Sequence, residues 1–323
     1  MVEKSEWKNS NDGSNYIFVG GSARSGTTLV QNILDSHPDI FAPGELNHVI
    51  EVMKARRRML STVKEHSNRL DGRDVIDQMA RNSLDSLLLV PLKERGMLRI
   101  SEKTPRNILV FEDLYSIFPK AKYILVMRDP RAVISSLLDV GKKARESKLP
   151  IPRNSLNLFE AVFYLSKSLV NSGKAIENIG GDLLTIYYEE LVEKPTAITK
   201  IITDFLELQW SDEMERPGDV YHEGVDMMTE GDMSVYYDQA SYQRNVDRSS
   251  LNKWKKNLKP WQQVYIQRHF EGSTVFSDVP YDFQLEGLGV IKFWADRVRC
   301  IVYELWVETI MLRRRFFSRI GRL

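Results

Sequence analysis

The sequence predicts an α/β fold: a central, mostly parallel sheet flanked by helices, with a helical insertion and an amphipathic helix at the carboxyl end. Three observations carry this expectation. Apolar runs of strand length occur at residues 16–20 (YIFVG), 97–101 (MLRIS), 123–127 (YILVM) and 183–187 (LLTIY). Stretches of helical period separate them, and strands alternating with helices build parallel sheets covered on both faces. The composition of 323 residues, 42% hydrophobic and 28% charged, is that of a globular chain with a sizeable core, and it excludes the collagen-like, disordered and disulfide-scaffold classes.

Taken in order, residues 1–15 are a polar leader without an apolar core segment, so no secretory signal or amino-terminal anchor is expected. The strand at 16–20 opens the main domain, expected over residues 16–286. From Thr27, the apolar residues Leu29, Val30, Ile33 and Leu34 fall at helical spacing until Ser36-His37-Pro38 stops the helix. A short extended piece follows at 39–42. Residues 47–95 are charged, helical in period and lack a strong strand, so they form an insertion of two or three helices. The remaining strands follow, and ligands of such sheets bind at the carboxyl ends of the strands.

Residues 287–323 differ from the rest. Ile291, Val298, Leu305 and Leu312 recur every seven residues, flanked by Trp294, Ile301, Val302 and Phe316. Asp296, Arg297, Glu304 and Glu308 argue against a membrane span, while Arg313, Arg314, Arg315, Arg319 and Arg322 make the end basic. Such a helix packs on its own domain, on a second copy of the chain, or as a peripheral element on an anionic membrane.

Lys and Arg number 45 against 44 Asp and Glu, a net charge of +1, so no nucleic-acid partner is expected and any anion site must be local. Cys300, the one cysteine, leaves no intramolecular disulfide and suggests a cytoplasmic location.

The local anion site is readable after the first strand. Gly21-Ser22-Ala23-Arg24-Ser25-Gly26-Thr27-Thr28 nearly matches the phosphate-binding G-x-x-x-x-G-K-[ST] pattern, and the fold is therefore P-loop-like. Gly21 and Gly26 let backbone amides turn inward, and the helix opening at Thr27 adds its dipole. Thr27 stands at the lysine position, while Arg24 brings a cation into the loop. A kinase uses that lysine with magnesium. Its loss favours a donor that needs no metal, although a nucleotide kinase and a non-catalytic nucleotide-binding module remain the alternatives. A second anion site follows the 123–127 strand, where Asp129 can cap a helix beginning at Pro130. There Arg128, a planar donor fork, and Ser136 stand eight residues apart.

The segment FVGGSARSGTTLVQNILDSHPDI resembles the 5'-phosphosulfate loop of the sulfotransferases that use 3'-phosphoadenosine 5'-phosphosulfate (PAPS), above all the tyrosylprotein and bacterial branch. The resemblance implies sulfuryl transfer from PAPS to a hydroxyl or amine of a small-molecule, carbohydrate, lipid or peptide acceptor, with no metal. It assigns Arg24, Ser25, Gly26, Thr27 and Thr28 to the 5' end of the donor, and Arg128 with Ser136 to the 3'-phosphate. In Pro43-Gly44-Glu45 it implies Glu45 as the base. In Ser101-Glu102-Lys103-Thr104-Pro105 it implies Lys103 as the cation on the sulfuryl oxygens, with Pro105 where the cytosolic branch has a histidine base. Tyr188, rather than Tyr187, is expected on the nucleotide, and Ser241 and Lys253 on a segment that closes over the donor.

Overall fold

The computed structural model describes residues 12–66, 72–222 and 245–271, with positions 298, 301–303, 305–307 and 309 beyond them. The strands are β1 (Tyr16–Gly21), β2 (Ile40–Phe41), β3 (Arg99–Lys103), β4 (Lys122–Met127) and β5 (Leu183–Tyr187). The helices are α1 (Thr27–Asp35), α2 (His48–His66), α3 (Gly72–Arg95), α4 (Phe111–Ile117), α5 (Pro130–Glu146), α6 (Leu158–Ile179), α7 (Tyr188–Glu193), α8 (Pro195–Phe205), α9 (Lys253–Asn257) and α10 (Pro260–Phe270). The chain forms two compact units, one of Met1–Arg128 and Lys167–Arg248, the other of Asp129–Ser166 and Ser249–Leu323.

The first unit holds a five-stranded, wholly parallel sheet in the order β2-β3-β1-β4-β5. Side chains of a strand alternate between its two faces, and here both faces are buried, which is why the strands read as continuous apolar runs. On one face Ile17, Val19, Ile124 and Val126 pack with Val30 and Ile33 of α1, and Ile202 of α8 joins the same core. On the other, Tyr16 and Phe18 of β1 and Tyr123 of β4 stack edge and face with Phe111 of α4 and with Phe118. Register brings Val19 opposite Lys103, Gly21 opposite Val126, and Met127 opposite Tyr187, so the loops leaving these strands emerge at one end of the sheet.

One expectation shifts. The third strand lies two residues beyond 97–101: Gly96, in the left-handed region, ends α3, and Leu98 and Arg99 both donate to the Asp39 carbonyl before pairing with β1 begins. That pairing runs from Tyr16↔Ile100 to Val19↔Lys103 and draws the polar Ser101, Glu102 and Lys103 into the sheet. The insertion consists of two long helices, α2 and α3, among the described residues. Arg56 of α2, buried, ties them together through Asp77 of α3 and through Asp113 and Ser116 of α4. The fifth strand ends at Tyr187, as read from the sequence, and Tyr188 starts helix α7.

In the second unit, α5 begins as the sequence suggests: the Asp129 side chain accepts from the Arg131 backbone N–H, and Pro130 stands at the first position, where no amide partner is needed. Arg131 returns an ion pair to Asp129 and lies 4.1 Å over the Trp254 ring of α9. The described part of the carboxyl-terminal helix departs from its seven-residue pattern. Tyr303 packs on Trp261 and Tyr265, and Trp306 on Phe159, whereas Val298 and Leu305 are 57% and 58% exposed. Trp306 is itself 48% exposed, so these ring contacts cover it only in part. Ile291 and Leu312 lie outside the described residues.

Candidate active site

Every element that the sequence singled out in the first unit ends on the same rim of the sheet. β1 runs into residues 22–26, and α1 starts at Thr27 with Gly26 as its amino-terminal boundary. Gly26 has φ +102°, and a Cβ there would stand 2.4 Å from the Tyr188 ring, so only glycine fits. Arg24 also lies in the left-handed region, at φ +72°. Among the described residues no side chain caps α1, no acid sits in its first turn, and the wholly buried Ser25 Oγ has no hydrogen-bond partner. An uncapped helix start with an orphaned buried hydroxyl beside it suits a phosphate or sulfate group of a ligand.

Arg128, directly after β4, donates to the Arg24 carbonyl at 3.0 Å, and its guanidinium lies 4.1 Å over the Tyr188 ring. The arginine, the loop and the tyrosine therefore brace one another, although the first two are 104 residues apart. Ser136 lies on α5 and Lys253 on α9, both in the second unit, and Ser241 lies outside the described residues.

Lys103 ends β3 with its side chain 2% exposed. Its Nζ lies 2.7 Å from Glu45 Oε1 and 3.4 Å from Thr28 Oγ1. Glu45 itself, 7% exposed at the side chain, is no surface residue. Carboxylate, ammonium and the loop hydroxyl thus meet at one point: a proton acceptor, a cation and the anion loop in contact.

The loop that carries Glu45 is held from beneath by residues the sequence reading did not single out. Asp35 accepts from the Ala42 N–H, and Gln31 donates to the carbonyls of Pro43 and Ser101 while accepting from Ser101 Oγ. Glu102, 1% exposed, accepts from the Leu46 N–H and Thr104 Oγ1 through one oxygen and from Asn107 through the other. Burial pushes the Glu102 carboxyl up to about 7, and the nearby Glu45 charge adds to the rise, against the three hydrogen bonds. Signals were present in the chain: Glu102 follows directly on an apolar strand run, and Gln31 and Asp35 lie among the apolar positions of the helix from Thr27.

A parallel sheet with a glycine-rich anion loop after its first strand, and charged residues on the rims of its neighbours, defines a protein of the phosphate-loop α/β class. Residues 16–212 match the profile of the sulfotransferase family, and the chain belongs to that family. It is 30% identical over 213 residues to protein-tyrosine sulfotransferase A of Caenorhabditis elegans, covering 64% of this chain and 54% of that protein. It thus spans about half the length of that relative. Among solved structures it resembles the sulfotransferase domain from the curacin biosynthetic pathway, at TM-score 0.53 and 25% identity, covering 79% of this chain and 95% of the other. The fold also matches that of a mouse sulfotransferase complexed with PAP, at TM-score 0.50 and 17% identity, covering 82% of this chain and 86% of that one.

Proposed function

We propose that this chain transfers a sulfuryl group from PAPS to an acceptor hydroxyl, with Glu45 as the base and Lys103 as the cation on the moving charge. The contact of Glu45, Lys103 and Thr28 carries this reading, because it sets a base and a cation against the anion loop. PAPS supplies an activated S–O bond. The loop amides, Ser25, Thr27, Thr28 and the Arg24 side chain hold its 5' end, and Arg128, with Tyr188 beside it, serves the 3'-phosphate.

In the transfer, the acceptor oxygen bonds to sulfur as the bridging S–O bond breaks, and the electron pair of that bond stays with the departing phosphate. Glu45 takes the acceptor's proton and Lys103 meets the charge that moves onto the leaving oxygen. No metal has a part in these steps. A tyrosine hydroxyl is the first acceptor to try, since the curated relative is a protein-tyrosine sulfotransferase.

The test is transfer of label from [35S]PAPS to a tyrosine-bearing peptide and to a panel of phenols, sugars and amines, with magnesium or with EDTA. Transfer that is indifferent to EDTA supports the proposal. Absence of transfer to every acceptor with 3',5'-ADP binding retained refutes it in favour of a non-catalytic nucleotide-binding module, and magnesium-dependent release of phosphate from ATP refutes it in favour of a kinase.

A further inference from the structure

We propose that Glu102 is a positioning residue, one that holds the 42–46 loop against β3 so that Glu45 stays on Lys103; the inference deepens the reading of Glu45 as the base and rests on it. Glu45 and Lys103 come from different loops. Lys103 is fixed by the sheet, where it pairs with Val19, whereas Glu45 lies four residues beyond the end of the two-residue strand β2 and has no ladder to hold it. Its backbone must be pinned from outside.

Glu102 provides the pin nearest to the base. Its side chain lies one residue before Lys103, inside the sheet, and Oε1 accepts from the backbone N–H of Leu46 at 3.1 Å, the residue after Glu45. The same oxygen accepts from Thr104 Oγ1 at 2.7 Å, and Oε2 accepts from Asn107 Nδ2, which also donates to the Val19 carbonyl at 3.1 Å. One buried carboxylate therefore links the base loop to both β1, which leads into the anion loop, and β3, which ends in the cation. Pushed up to about 7 by burial, it is an unfavourable group to keep in a sheet, and apolar residues would pack there at lower cost. Three donors converging on it give the reason for its presence: no aliphatic side chain accepts from them.

The chemistry explains why position matters. A base misplaced by about 1 Å forfeits roughly 10²-fold in rate, while nucleotide binding through residues 24–28 and Arg128 does not depend on it. Glutamine at 102 keeps an oxygen for the Leu46 N–H and Thr104 Oγ1 and gives up only the second oxygen, which accepts from Asn107 Nδ2.

The experiment compares Glu102→Ala and Glu102→Gln in the full chain by three readouts: hydrogen exchange of the 42–46 backbone, 3',5'-ADP affinity, and kcat with PAPS and a tyrosine peptide. Glu102→Ala is expected to lose protection at the Leu46 amide by about tenfold or more and kcat by roughly 10²-fold, with 3',5'-ADP affinity within about twofold. Glu102→Gln is expected to recover most of both losses. Wild-type protection at Leu46 in Glu102→Ala overturns the inference, as does faster exchange spread evenly over β1 and β3. Failure of the wild-type chain to transfer sulfuryl groups overturns the reading of the site instead, and the exchange of Leu46 still decides whether Glu102 holds the loop.

Discussion

Replacing Glu45 by alanine separates two roles that the structure combines in one side chain. Glu45 and Lys103 form an ion pair of 2.7 Å with side chains 7% and 2% exposed, so the pair is desolvated rather than superficial. Removing one member of such a pair costs about 3–5 kcal/mol, chiefly because the other charge keeps its burial and loses its closest counter-charge. At about 2–4 °C per kcal/mol for a large domain, the melting temperature should fall by on the order of 10 °C. Loss of a general base should lower kcat by roughly 10²–10⁴-fold. Calorimetry, 3',5'-ADP titration and the labelled-transfer assay read the three effects, and ADP affinity should change little because Arg128 and residues 24–28 are intact. The double variant Glu45→Leu with Lys103→Met removes both charges together and should regain most of the stability while remaining inactive. A Glu45→Ala protein that transfers at the wild-type rate refutes the base assignment, and an unchanged melting temperature refutes the buried pair.

Gly26→Ala introduces a Cβ 2.4 Å from the Tyr188 ring at a backbone angle that alanine resists, so it should weaken 3',5'-ADP binding by tenfold or more, by order of magnitude, or prevent folding; calorimetry and titration distinguish the two, and normal binding refutes the brace. Arg128→Ala removes the fork that spans the Arg24 carbonyl and the Tyr188 ring, with an expected loss of about 10–100-fold in 3',5'-ADP affinity by titration. Glu102 predicts a pH dependence of stability. Its folded-state pKa is raised to about 7 from 4.5, so the folded chain binds the proton more tightly than the unfolded one. Its contribution is full below pH 4.5 and is lost as pH rises through 7, amounting to about 3 kcal/mol over that window. Urea midpoints of the wild type and Glu102→Gln between pH 5 and 8 should diverge accordingly, and parallel curves contradict the raised pKa.

Much of the first unit was legible because its signals are local. The 16–20 run, the glycine loop and the helix from Thr27 are consecutive, and the residues that build them are the residues that display them. The capped start of α5 at Asp129 and Pro130, and the strand Leu183–Tyr187, were legible for the same reason. Where a pattern failed, longer-range pairing overrode it. β3 extends to Lys103 because β1 supplies partners that far, while Val298 and Leu305 of the seven-residue repeat are exposed.

The amino-acid sequence by itself determined the class of the fold and the glycine-rich loop after its first strand, since periodicity, glycine placement and motif spacing are properties of neighbours in the chain. Only the tertiary structure decided that Glu45 meets Lys103, that Arg128 braces the backbone of Arg24, and that Gln31, Asp35 and Glu102 clamp the loop between them. Those contacts join residues that parallel pairing brings to one rim of the sheet, and strand order, which sets them, depends on the packing of the whole unit rather than on any local segment.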